Sequence, residues 1–286
     1  MTAVGRKGRS PSPKVLRLQL GRELRQLREA AGLTARDEVA TPLGWDVSKV
    51  SRVESGQGTL TPKELDALLT LYKASDEDAE RIRKLGEAAR KRGTYGKVPD
   101  WAKGYIGMES DADALKIYYG ELIPGPLQTD AYARAILSTS VTVAPADIDR
   151  LVQNRAQRRE ILTREDPPQV DVVLGEAALR RQVGGRKVLR AQLEHLRTVA
   201  ALPNVTMQVL PFSSGEHAAL DTSFTLLYLK EVNATYVYLE DLTSADFWDR
   251  APHVPVYELV FSRLQIAALG KRETLAMLDR AIDDLG

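Results

Sequence analysis

Leu16, Leu20, Leu24 and Leu27 recur at three- and four-residue steps, which predicts a helix from Val15 with one apolar stripe. Gly32 is placed to end that helix, since glycine tolerates the left-handed conformation found just past helix C-termini. Thr34 then opens a second, short helix, with Asp37 three residues on as a variant of the capping box. Val39 and Ala40 turn inward, and this helix stops near Leu43-Gly44. A third runs from about Asp46 to Ser55, with Val50 and Val53 on its inner side, and is followed by the loop Gly56-Gln57-Gly58. Thr61-Pro62-Lys63-Glu64 is a strong start signal for a fourth, which buries Leu65, Leu68, Leu69 and Tyr72. Residues 75–93 give a fifth, charged and amphipathic, ending at Gly93. Residues 15–93 are therefore expected to form a five-helix, all-α domain.

A stretch around "TYGKVPDWAKG" reads as a linker over 94–103, and beyond it the pattern changes. "VDVVLGEAALRRQVGG" is a β-rich run turning into a helix, and "KVLRAQLEHLRTVAAL" aligns Leu189, Leu193 and Leu196 on one helical face. "NVTMQVLPF" alternates as a strand and ends at Pro211. "SFTLLYLKEVNATYVYLED" predicts two strands joined through Val232-Asn233-Ala234, a hairpin. Two helices close the chain. The expected fold is multi-domain: the all-α unit, then a mixed α+β or α/β domain over 104–286.

Composition changes the picture in two places. The 286 residues include no cysteine, which excludes disulfides, thiolate metal sites and a cysteine nucleophile, and fits a reducing cytosol. With no apolar run behind basic residues at the start, and none near the roughly 20 residues a membrane span needs, the expectation is a cytoplasmic protein. The formal net charge of +1 hides an asymmetry: residues 1–97 hold 20 basic against 13 acidic side chains, the remainder 20 against 26. A basic first half fits an anionic partner, and chance variation between solvated surfaces gives the same count. Residues 1–14, with Arg6, Lys7, Arg9 and Lys14 and no acid, read as a disordered basic arm.

"GWDVSKVSRVESG" carries the sharpest candidate chemistry. If Val50 and Val53 face inward, Ser48, Lys49 and Arg52 project together from the opposite side, with Asp46 as N-cap. Arg52 can donate two parallel hydrogen bonds to guanine, and Lys49 can reach guanine or phosphate. Taken alone, an amphipathic surface helix has the same pattern. The ordered set "LRQLREAAGLT", "VATPLGWDVSKVSRVESG" and "LTPKELDALLTLY" resembles the phage-repressor type (XRE-like) of helix-turn-helix domain over about residues 16–75. That resemblance implies an ion pair between Arg28 and Glu54. It implies base-reading at Val47, Ser48 and Arg52, with Lys49 and Ser51 beside them, and binding to double-stranded DNA as a homodimer. Two positions depart from it. Ala35 replaces a phosphate-gripping glutamine, so that contact comes from Thr34, Arg36 or backbone N–H groups, or is lost. Pro42 removes a helical hydrogen bond, so the second helix should stop early or bend.

"ELIPGPLQTDAYARAIL", "LGEAALRRQVGGRKVLRAQLEHL", "NVTMQVLPFSSGEH" and "SFTLLYL", in that order, resemble the large C-terminal domain of unknown function of actinobacterial regulators of the WhiJ kind. The resemblance implies a transcription regulator in an antitoxin-like arrangement with a small protein partner encoded nearby, located on the nucleoid when bound to DNA. The residues themselves carry little chemistry. His195 reads as a satisfied helix-face residue, and His217 sits in a loop where ligand-binding residues occur. Glu176 opens a helix after a strand, and Glu240 ends a strand, so both have ordinary surface readings beside a ligand-binding one. No spacing suggests a metal site, a phosphate cradle or a nucleophile elbow, and neither a cofactor nor an enzyme activity is expected. Two readings stay open. One is a sequence-specific regulator whose second domain senses a small ligand or a protein partner. The other is a sequestering interaction protein in which DNA binding is secondary.

Overall fold

In a computed structural model that describes residues 11–91, 100–242, 244–249 and 252–286, the chain divides into two units, Met1–Asp111 and Ala112–Gly286. Residues 1–10 of the expected basic arm and 94–99 of the expected linker lie outside the described residues. Ser12 starts α1 (Pro13–Ala30): its Oγ accepts from the Val15 N–H and Pro13 fills the first helical position. Pro13 and Lys14, read as part of the arm, are thus helical.

The second helix corrects the sequence reading. α2 (Asp37–Leu43) begins three residues after Thr34, with Arg36 at the cap position and no side-chain capping bond. The reason lies upstream: Arg28 Nη1 donates to the carbonyls of Leu33 (2.5 Å) and Thr34 (3.0 Å), holding both residues outside the helix. Glu38, rather than Asp37, turns back to accept from the Ala35 N–H at 2.7 Å. Pro42 lies inside the helix without breaking it, one residue before the end. The next residue, Gly44, takes φ +63°, its N–H bonding the Thr41 carbonyl (3.2 Å) while Trp45 bonds that of Ala40 (2.9 Å). That reciprocal pair ends the helix at its own C-terminal device, so Pro42 forfeits a single hydrogen bond.

α3 (Val47–Glu54) follows after three residues, then α4 (Pro62–Leu71), α5 (Asp76–Arg90) and α6 (Asp100–Asp111). Thr61 and Glu64 form both halves of a capping box on α4. Leu24, Val39, Val50, Val53, Leu65, Leu68 and Ile82 form the core of this unit. α1 and α3 meet backbone to backbone at Gly21, where a Cβ would lie 2.5 Å from the Val53 carbonyl oxygen and 2.6 Å from that of Glu54. Backbone cannot yield as a side chain does. Gly21→Ala is therefore expected to force the two helices apart and cost about 1–3 kcal/mol, as overpacking does. A urea midpoint unchanged from the parent protein would refute that contact.

The second unit is built on a mixed sheet of six strands among the described residues. β1 (Ala114–Tyr119) leads through α7 (Asp130–Thr139) and α8 (Ile148–Arg159) to β2 (Gln169–Gly175). α9 (Glu176–Arg180) and α10 (Arg186–Val199) connect β2 to β3 (Val205–Leu210). β4 (Phe224–Leu229), β5 (Ala234–Glu240) and β6 (Ala245–Trp248) follow, then α11 (His253–Ala267) and α12 (Lys271–Asp283). The strand order is β3-β2-β1-β4-β5-β6. β1, β2 and β3 are parallel, whereas β4 is antiparallel to both β1 and β5. The two parallel crossovers run the same way along the sheet, and right-handed connections put their helices on one face. The other face carries Tyr118, Phe224, Leu226 and Val237 and packs on Phe261 and Leu264 of α11. The expected hairpin is present, with its connection at residues 230–233 and Asn233 at φ +43°. α12 covers the exposed edge of β3, Thr274 Oγ1 accepting from the Val209 N–H at 3.1 Å.

Candidate nucleic-acid interface

A base-reading helix must be held rigidly from behind and left free in front. Behind α3 stands a buried charge cluster. Arg28 Nε lies 2.6 Å from Glu54 Oε1, and Arg36 Nε lies 3.1 Å from Glu54 Oε2. Both Arg28 and Glu54 are buried. Burial is the largest single influence on Glu54 and opposes its ionisation. The hydrogen bonds from Arg28 and Arg36 together outweigh it and hold the carboxyl below its ordinary value. Because Arg28 also grips the Leu33 and Thr34 carbonyls, one guanidinium ties α1, α3 and the loop before α2 together. The pair fixes geometry more surely than it adds net stability.

In front, the helix starts at Asp46, whose carboxylate accepts from the Ser48 N–H at 2.7 Å. That hydrogen bonding keeps the Asp46 carboxyl below its usual range, so it serves as a charged cap. Val47, Ser48 and Arg52 are exposed, Val47 with 46% of its surface open, while Val50 and Val53 are buried opposite. Ser51 is half-buried beside them and Thr34 is exposed before α2.

Two of the seven expected DNA contacts are committed elsewhere. Arg36 is half-buried against Glu54, as above. Lys49 is held between Glu64 of α4, at 2.5 Å, and the ring of Trp45, whose centroid lies 4.1 Å away. Glu64 uses its other oxygen for the Thr61 N–H (2.8 Å) and hydroxyl (2.9 Å), so one carboxylate caps α4 and restrains Lys49. The Lys49 hydrogen bond, foremost, pulls the Glu64 carboxyl down to about 2 from 4.5. Its stabilising contribution is fully present above pH 4.5 and is lost as the pH falls through about 2. The pair is partly exposed, so that contribution is small. Glutamine serves the capping box as well as glutamate. Glu64→Gln is thus expected to keep α4 while freeing Lys49, steepening the salt dependence of DNA binding by up to about one unit of slope. An unchanged slope would mean that Lys49 never reaches a phosphate. The Ala35 N–H, one of the groups left to replace the missing glutamine, is occupied by Glu38.

The expected ligand trio of the second unit is not brought together. Glu176 accepts from the Phe212 N–H (3.0 Å) and pairs with Arg180 (3.3 Å). His217 lies against Tyr118, its Nε2 3.4 Å from the phenol oxygen, and its Nδ1 accepts from the Ala219 N–H at 3.3 Å. Partial burial holds the imidazole below its ordinary value. Glu240 accepts from Tyr238, whose side chain lies on the sheet face opposite Tyr118. No group of three metal-capable side chains occurs among the described residues. His195, read as satisfied, instead has its Nε2 buried without a hydrogen-bond partner.

Helices α2 and α3, joined by a tight turn, packed on α1 and α4 and outward-facing at Ser48 and Arg52, define a helix-turn-helix DNA-binding regulator with a second, mixed α/β domain. Residues 19–82 match the family described as a helix-turn-helix domain. Residues 102–280 match a domain of unknown function (DUF5753), and the chain belongs to that family. Neither a curated protein nor a solved structure matches the chain significantly. No helix among the described residues is long and apolar enough to cross a membrane.

Proposed function

We propose that the protein is a sequence-specific transcription regulator that binds double-stranded DNA as a homodimer and whose second domain senses a small ligand or a protein partner. The observation that carries the reading is the division of α3. Glu54, Val50 and Val53 lock it from behind, while Ser48 and Arg52 stand open on the other side. In the major groove Arg52 reads guanine by a bidentate contact, Ser48 and Ser51 make adaptable contacts and Val47 meets a thymine methyl. Thr34 contacts the backbone before α2. A dimer places two such helices about one turn of DNA apart. The absence of any recognisable catalytic constellation in the sequence favours a sensor over an enzyme. The resemblance to WhiJ-like regulators supports an antitoxin-like gene neighbour as the partner and a place on the nucleoid. Chromatin immunoprecipitation with sequencing in the native host is expected to give discrete peaks sharing one motif. Uniform recovery across the chromosome would overturn sequence specificity.

A second reading has its own support. Arg36 and Lys49 are both engaged by carboxylates, which lowers the phosphate-binding charge available to the first domain. In that reading the domain serves as a scaffold and the protein sequesters a partner. Purification from native lysate separates the two, since sequestration predicts a stoichiometric protein and no enriched DNA.

A further inference from the structure

The arginines of α8 are not all matched by carboxylates. Arg150 pairs with Asp147 at 2.6 Å and Arg159 with Asp130 at 2.7 Å. Arg155 has no carboxylate within ion-pair range among the described residues. Its hydrogen bond runs from Nη1 to Gln128 Oε1 at 2.6 Å, and Gln128 is buried and fixed in turn by donating to the Ile123 carbonyl at 2.7 Å. A guanidinium carries five N–H donors in a rigid fork, so most of Arg155 faces no protein acceptor. A second cation, Arg158, itself engaged with other groups of the protein, acts on Arg155 by its charge, and a Cβ on Gly125 would lie 2.7 Å from both of its terminal nitrogens.

The place of this cluster in the fold matters as much as its charge. The chain leaves β1 for β2 and β3 on one side, then returns to β4 on the other. Ligands of open α/β sheets bind beyond the carboxyl ends of strands at such a reversal. Tyr119 ends β1, Gly125 and Gln128 follow it, and Glu240 ends β5, which runs in the same direction as β1. We propose that Arg155 and Arg158 form a binding site for a small oxyanion-bearing ligand, a carboxylate or a phosphate, at the carboxyl end of β1 beside Tyr119 and Gln128. A desolvated cation without a carboxylate in direct contact is costly, and a planar oxyanion meets the guanidinium fork with two charge-assisted hydrogen bonds. Burial, then the charge of Arg158, hold Arg155 down to about 10, more than Glu240 offsets. Glu240 remains tied to the Tyr238 hydroxyl at 3.1 Å, at the rim of the cluster.

This deepens the sensor reading and rests on it. Its test uses the full-length chain without DNA, titrated calorimetrically with inorganic phosphate and with benzoate, each against chloride at equal ionic strength. Saturable binding of either is expected, with phosphate alone pointing to a phosphorylated ligand and benzoate alone to a carboxylate. Arg155→Met is expected to weaken it at least about tenfold, the loss of one charge-assisted bidentate contact. Gly125→Ala, which displaces Arg158 without removing a charge, is expected to weaken it as well. Hydrogen exchange over β1 and α8 checks folding, and if Arg155→Met is unfolded the Gly125→Ala result decides. No binding of either anion by the parent chain, or binding unaltered in a folded variant, overturns the site. Because DNA is absent, either result leaves operator recognition to be judged separately.

Discussion

Glu54→Gln is expected to destabilise the helix-turn-helix unit by about 3–5 kcal/mol, the cost of leaving a buried charge without its partner. The substitution preserves shape, so the loss measures charge rather than packing. Arg28 would keep its bonds to the Leu33 and Thr34 carbonyls but lose the carboxylate 2.6 Å from its Nε, and Arg36 would lose its own partner. Small domains carry about 5–15 kcal/mol in total, so the variant should populate open states readily. Hydrogen exchange of the amides of α1 to α4 in the full chain reads this directly. The pH dependence has a definite sign. The carboxyl of Glu54 is depressed from 4.5, so its stabilisation is fully present above that pH and is lost as the pH falls below it. The parent domain should lose protection on acidification, and Glu54→Gln should show a flatter profile. A loss under about 1 kcal/mol would place the pair among ordinary surface ion pairs and refute its anchoring role.

Arg52→Ala is expected to separate sequence reading from attraction. Arg52 is exposed, and its neighbours Val53 and Glu54 supply the packing of that turn. The domain should therefore stay folded and keep its weak, salt-sensitive hold on any duplex. What it should lose is discrimination, about 1–3 kcal/mol for each half-site in which the bidentate contact to guanine is missing. Anisotropy titrations against a cognate and a scrambled duplex at two salt concentrations measure both quantities. Selectivity that survives the substitution would move base reading away from Arg52.

How far the sequence carries can be judged at particular residues. Helix starts at Asp46 and Thr61 were legible because a cap is a local event, decided within four residues. The start of α2 was not: Thr34 looks like a cap, but Arg28 draws its carbonyl out of helical geometry from the preceding helix. Periodicity placed Lys49 on the open side of α3 but could not show Glu64, fifteen residues on, folding back to meet it. Arg36 was lost to Glu54 in the same manner. In the second domain the strand-helix alternation from Gln169 onward was readable. β1 is as long as β3 and β4, but its place in the sheet comes only from its neighbours β2 and β4. Arg155 had no local mark at all, because its chemistry comes from Gln128 and the carboxyl end of the sheet.

Selection of bound duplexes from a randomised pool by the full-length chain tests most directly that α3 reads DNA sequence. The expected result is enrichment of one motif containing a guanine in each half-site, arranged as an inverted repeat with centres about one helical turn apart. A pool that remains random after repeated rounds, while binding still responds to salt, would contradict it.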